Sequence, residues 1–141
     1  MSQFIEFANN HLVLLGAFVV VLTMIIKMEF ESRFSGITQL SAADAVRLMN
    51  NDETIVIDVR ESKEFSESHI KGATHIPMTA IKTRLNELEK YKDKPVLTYC
   101  RSGSRSNYAC RVLKKAGFNQ VNNLAGGVIG WESANLPLTR K

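Results

Sequence analysis

Cysteine is scarce: the 141 residues hold two, Cys100 and Cys110. Two thiols cannot build a disulfide framework. Ten positions apart, at the start of a helix and nearly two turns into it, their Cα atoms exceed the roughly 7 Å that a disulfide tolerates. A chain that keeps its thiols free suits a reducing compartment. Residues 1–10 contain no Lys or Arg, residues 12–26 contain no charge, and residues 94–131 contain no Asp or Glu. The first absence removes the basic start of a secretory signal peptide, and residues 27–34 offer no Ala-x-Ala cleavage pattern. No internal repeat or low-complexity segment is visible.

The uncharged run identifies a span. Counted over residues 11–28 it measures about 27 Å as a helix, close to the bilayer core of about 30 Å. A buried core helix would need a larger domain around it than 141 residues supply. The expected organisation is therefore an amphiphilic lead-in at 1–10, a transmembrane helix at 11–28, a polar linker at 29–36 and one domain at 37–141. Lys27 and Arg33 follow the span and no basic residue precedes it. The positive-inside bias then turns the domain to the cytoplasm.

The acid-free stretch carries Lys94, Arg101, Arg105, Arg111, Lys114 and Lys115, within a formal net charge of +4. Aromatic residues are not interleaved with these cations, which argues against nucleic acid as a partner. A small-anion site explains the bias more simply, with Lys114 and Lys115 read as a solvated helix face.

Along the domain, Ile37-Thr38 begins a brief strand and Ser41 caps a helix through Met49, with Asp44 favouring its positive end. Thr54 to Asp58 is a β-branched run suited to a strand buried on both faces. A helical turn or two follows from Glu61, then a short strand around Thr74-His75, then a helix expected over 79–90. A strand at 94–99 leads into a helix from Ser104 or Arg105 to Lys115. Asn122-Asn123 reads as a turn between Val121 and Leu124, and Gly126-Gly127 opens a last helix carrying Val128, Ile129 and Trp131. Strands alternating with helices imply an α/β fold with a mainly parallel central sheet. Ligands of such sheets gather at the carboxyl ends of the strands, and Cys100 stands just past one.

The stretch Cys100-Arg101-Ser102-Gly103-Ser104-Arg105-Ser106 is where chemistry is expected. Backbone N–H groups at a helix start point inward and carry partial positive charge. Arg101 and Arg105 add full charge, and such surroundings favour a thiolate. Cys110 reads as a small apolar core residue, and Trp131 as core. His69, His75 and Cys100 fit no compact metal motif, so no metal is expected. Asp58 and Arg60 end a central strand and read as a structural ion pair supporting the site. Glu64 and His69 read as tertiary hydrogen-bonding residues.

The loop resembles the active-site loop of rhodanese domains, sulfurtransferases that carry sulfur as a cysteine persulfide. Ile57-Asp58-Val59-Arg60, Glu64-Phe65, His69-Ile70, Gly72-Ala73 and Ile76-Pro77 are similar to the family's first signature, with Ser68 where glycine is usual. Gly126-Gly127 with Trp131 is like its C-terminal one. The resemblance covers about residues 36–137. It implies a single rhodanese-like domain with Cys100 as persulfide carrier, residues Arg101, Ser102, Gly103, Ser104, Arg105 and Ser106 as the substrate-binding loop, and no cofactor. It implies a small anionic sulfur donor, such as thiosulfate, and a thiol acceptor. An anchor followed by one such domain looks like small bacterial membrane-bound rhodaneses, at the inner membrane with the domain in the cytoplasm. Two alternatives stand beside it. Phosphatases and arsenate reductases share the fold but place the arginine six residues after the cysteine, where this chain has five. A membrane-tethered interaction module would make turnover incidental.

Overall fold

The computed structural model describes residues 11–140, so the lead-in expected at 1–10 lies outside the described residues. The chain divides into two units, one ending at Ser35 and the other beginning at Gly36. In the first, α1 (Leu12–Phe34) is a single helix of 23 residues. Its part Leu12–Phe30 is long and apolar enough to cross a membrane by length and composition. The helix runs past the expected end at residue 28, and most of the linker expected at 29–36 is helical. Glu29, Phe30, Glu31 and Arg33 include no helix breaker, and the first glycine after the span is Gly36, in the left-handed region at φ 64°.

The second unit is a three-layer α/β domain. Its strands are β1 (Ile37–Leu40), β2 (Ile55–Asp58), β3 (Thr74–His75), β4 (Pro95–Tyr99) and β5 (Gln120–Leu124). They form one sheet in the order β1-β5-β4-β2-β3, with every neighbouring pair parallel. All five residues of central β4 are buried, as expected of a strand covered on both faces. Alternate side chains sort to two cores. Ile57 and Val96 pack beneath α5 (Ser104–Lys115), with Ala109, Cys110 and Leu113. Val56, Leu97 and Tyr99 face the opposite way, against Ala45 of α2 (Ala42–Met49) and Val128 and Trp131 of α6 (Gly127–Ser133).

Local sequence explains most boundaries. The Asp44 amide donates to the Ser41 hydroxyl at 3.2 Å, and α2 ends at Asn50. The Trp131 indole N–H donates to the Pro137 carbonyl at 3.0 Å, and His69 and Thr139 exchange backbone bonds of 2.8 Å, so the C-terminal segment is tied back to the domain.

Two expected elements differ. Residues 79–90 are not one helix but a 3₁₀ turn Met78–Ala80, a short α4 (Leu85–Leu88) and a second 3₁₀ turn Glu89–Tyr91. Ile81, Leu85 and Leu88 keep a helical spacing and Ile81 and Leu88 are buried, but the Thr83 hydroxyl donates to the Ala80 carbonyl at 3.0 Å, competing with helical bonding. Asn122-Asn123 is no turn but lies inside β5. Asn122 Nδ2 donates to the Val96 carbonyl on neighbouring β4 at 3.1 Å, and Asn123 serves the loop after β4. Tertiary hydrogen bonds override the low strand preference of asparagine.

Gly127 fixes how α6 meets the loop. Its φ is 55°, and an added Cβ would stand 2.6 Å from both the carbonyl carbon and oxygen of Arg101. The Val128 and Ile129 amides donate to the carbonyls of Cys100 and Arg101 at 2.9 and 3.1 Å. Gly127→Ala therefore combines left-handed strain with a backbone clash, and urea unfolding should show a loss of about 3 kcal/mol or more.

Candidate active site

Strand β4 ends at Tyr99 and α5 begins at Ser104, so residues 100–103 turn between them. Gly103 caps the helix at φ 99°, a conformation that favours glycine, and an added Cβ would lie 3.3 Å from the Leu124 carbonyl oxygen. That turn sends the backbone amides back towards the cysteine. Gly103 N–H donates to Cys100 Sγ at 3.1 Å, and the Ser106 hydroxyl oxygen lies 3.4 Å from the sulfur.

Cys100 is fully buried, and Arg101, Ser102 and Ser104 are the exposed members of the loop. Burial pushes the thiol pKa up. The Ser106 hydroxyl, when turned to the sulfur, and the amides of Ser106, Gly103 and Ser102 outweigh it, so Cys100 lies below the ordinary thiol value. Cys110 is the internal contrast. It is likewise shut off from solvent, lies deeper and lacks such a ring of amides, and burial carries its thiol up to about 12. It packs in the core as the sequence indicates.

The two loop arginines part company. Arg105 is not a free cation: its Nη1 and Nη2 donate to Glu64 at 2.9 and 3.0 Å. Glu64 sits on α3 (Ser62–Glu67), where it also accepts from the Glu61 amide at 3.1 Å. The Arg105 hydrogen bonds hold the Glu64 carboxyl down at about 2. The expected anion charge from Arg105 is thus largely spent on Glu64, because a bidentate guanidinium–carboxylate pair satisfies both partners. Arg101 is exposed and makes no ion pair among the described residues.

Asp58 and Arg60 hydrogen-bond to each other rather than to Cys100. Arg60 Nε and Nη2 donate to the Asp58 carboxylate at 2.6–3.0 Å, and Nη2 also reaches the Ser68 carbonyl at 2.6 Å. Both are buried, so the pair braces the end of β2, whose neighbour is β4. His69 Nδ1 lies 2.9 Å from the Phe65 carbonyl oxygen, a local contact four residues back, and the tertiary bonds of His69 are those of its backbone with Thr139. A groove of about 520 Å³ lined by Lys82, Leu85, Tyr108, Arg111, Val112, Lys115 and Ala116 runs beside α5 and includes no loop residue, so it does not mark this site.

Sequence reasoning missed Asn123. It is 2 % exposed, accepts from the Ser106 hydroxyl at 2.6 Å and donates to the Gly103 carbonyl at 3.1 Å. Two asparagines in an otherwise apolar strand position were the available signal, since buried asparagine needs partners.

A five-stranded parallel sheet with a cysteine loop at the carboxyl end of its central strand defines the class, and known proteins agree. The family model for the rhodanese-like domain matches residues 41–134, and the chain belongs to that family. The uncharacterized protein YibN of Escherichia coli K12 is 36% identical over 141 residues, covering 99% of both chains. A protein named sulfurtransferase from Allochromatium vinosum is 38% identical over 92 residues, 65% of this chain and 84% of its own. The crystal structure of a rhodanese-related protein from Thermoplasma volcanium matches with a TM-score of 0.66 and 29% identity, over 74% of this chain and 99% of that one.

Two outcomes follow from the ion pairs. Arg60→Met leaves the Asp58 charge buried without its partner, and urea unfolding should show a loss of about 3–5 kcal/mol. Glu64 titrates at about 2 in the folded chain against an ordinary 4.5. Its pair stabilises fully above the ordinary value, and that contribution fades as pH falls from there towards 2. Urea midpoints measured down this window should fall more steeply for the natural chain than for Glu64→Gln.

Proposed function

We propose that the chain is a membrane-anchored sulfurtransferase that moves sulfane sulfur from thiosulfate or a similar donor to a thiol acceptor through a persulfide on Cys100. The observation that carries this reading is the convergence of loop amides on a single sulfur, which favours its anionic forms. Membership of a family in which relatives bear the name sulfurtransferase supports it.

The chemistry is a double displacement. The Cys100 thiolate attacks the outer sulfur of thiosulfate. A new S–S bond forms, the old one breaks, and sulfite leaves with its electron pair. The resulting Cys100-S-S⁻ keeps the negative charge within reach of the same amides. An acceptor thiolate then attacks the terminal sulfur, takes it as a persulfide and returns Cys100 as thiolate. Exposed Arg101 draws the anionic donor to the loop. Asp58 and Arg60 hold the neighbouring strand end in place.

The anchor belongs to the same reading. The apolar helix Leu12–Phe30 has the length of a span. Lys27 and Arg33 after it orient the domain to the cytoplasm at the bacterial inner membrane, where thiols stay free.

Thiosulfate treatment followed by mass spectrometry should add about 32 Da, one sulfur atom, at Cys100, with no gain in Cys100→Ser. Failure of several donors to leave that mass on Cys100 contradicts the reading. Arg101→Ala should raise KM for thiosulfate roughly 3- to 10-fold while kcat changes little, the pattern of a lost binding charge.

A further inference from the structure

Three acceptors compete for the one hydrogen of the Ser106 hydroxyl. Asn123 Oδ1 lies at 2.6 Å, the Gly103 carbonyl oxygen at 3.1 Å and Cys100 Sγ at 3.4 Å. Which amide atom of Asn123 faces Ser106 is decided by its neighbours. A backbone carbonyl can only accept, so the Asn123 atom 3.1 Å from the Gly103 carbonyl is the nitrogen. The second hydrogen of that nitrogen goes to Gln39 Oε1 at 2.8 Å, and Gln39 Nε2 in turn donates to Asn107 at 3.3 Å. Asn123 Oδ1 therefore faces Ser106 as an acceptor, and at 2.6 Å it is the shortest and strongest of the three.

The consequence falls on the sulfur. With its hydrogen turned to Asn123, the Ser106 oxygen presents a lone pair to Cys100. That arrangement suits a thiol S–H donating to Ser106 and disfavours a thiolate. The backbone amides cannot make this choice, because their hydrogens are fixed in direction. Ser106 can rotate. We propose that Asn123 is a positioning residue that keeps the Ser106 hydroxyl proton off Cys100 while the sulfur is a thiol, and yields it to the sulfur once the sulfur carries negative charge. Its purpose rests on the sulfur-transfer reading, in which charged forms of Cys100 alternate, but its geometry concerns only ionisation.

The charged surroundings leave this lever distinct. Arg105 of α5 senses Cys100 and is paired with Glu64 of α3. Cys110 of α5 stays protonated until about pH 12. Asp58 and Arg60 after β2 are bonded to each other. From β1 and β5 the network presents only uncharged amides, Gln39 and Asn123.

The test is a double-mutant cycle on the ionisation of Cys100, followed by ultraviolet thiolate absorbance in the full-length chain. No sulfur donor is needed, and Cys110 does not titrate in the window. Asn123→Ala should lower the Cys100 midpoint by about half to one pH unit, roughly 3- to 10-fold more thiolate at a fixed pH below it. In a Ser106→Ala background the same substitution should move the midpoint by less than about 0.3 unit. Asn123→Asp, close in shape and a stronger acceptor, should raise the midpoint, and by less once the Ser106 hydroxyl is gone. An unchanged or raised midpoint in Asn123→Ala overturns the proposal, as does a shift that persists undiminished without Ser106. If Asn123→Ala does not fold by circular dichroism, an Asn123→Asp shift identical in both backgrounds overturns it. A chain that shows the cycle but never takes up sulfur from thiosulfate keeps this proposal and loses the sulfur-transfer one.

Discussion

The contact between Cys100 Sγ and the amides that fold back over it is the constraint on which the rest of the domain depends. Those amides converge because the backbone reverses at Gly103 in the left-handed region, between a fully buried strand and a helix of 12 residues. The reversal is held from three sides. Bonds from Val128 and Ile129 fix the carbonyls of Cys100 and Arg101, which requires the bare backbone of Gly127. Asn123 binds the Gly103 carbonyl from β5. The Asp58–Arg60 pair anchors the end of β2 on the far side of β4.

Two buried thiols in one chain show what that contact is worth. Desolvation acts on both and favours the neutral form of each. For Cys110 it wins, and the group is inert at any physiological pH. For Cys100 the hydrogen bonds win over a shallower burial. Position at the helix start, together with shallower burial, separates the thiol of lowered pKa from the one that packs in the core. Full charges contribute less than the sequence suggests, because Arg105 already faces Glu64. The Ser106 hydroxyl and the fixed amides of the loop act at the sulfur, and free guanidinium charge is left to exposed Arg101.

Much of this was legible in the residues. The strand-to-helix handover around Cys100 was readable because an apolar run opened by Pro95 abuts a helical period ending at Ala116-Gly117. The Ser41 cap, the buried Thr54–Asp58 stretch and the core role of Trp131 follow equally from local chemistry. What escaped was decided by partners distant in sequence. Asn122 and Asn123 carry turn chemistry locally, yet carbonyls on β4 and in the loop recruit them into β5. Arg105 looked free because Glu64 stands 41 positions earlier. The segment after Pro77 has a helical apolar spacing, yet it settles into short turns, with the Thr83 hydroxyl taking up the Ala80 carbonyl. On the N-terminal side, α1 outlasts its apolar stretch because helix-forming charged residues extend it to Phe34.

The most direct measurement is the pH titration of the backbone amide signals of Ser102, Gly103 and Ser106 by nitrogen-edited NMR. All three should move together as Cys100 ionises, with a shared midpoint below the ordinary thiol value of about 8.5. These movements should vanish in Cys100→Ser. Amide signals indifferent to the ionisation of Cys100, or a midpoint above that value, would mean that burial governs this sulfur and that the loop does not hold its charge.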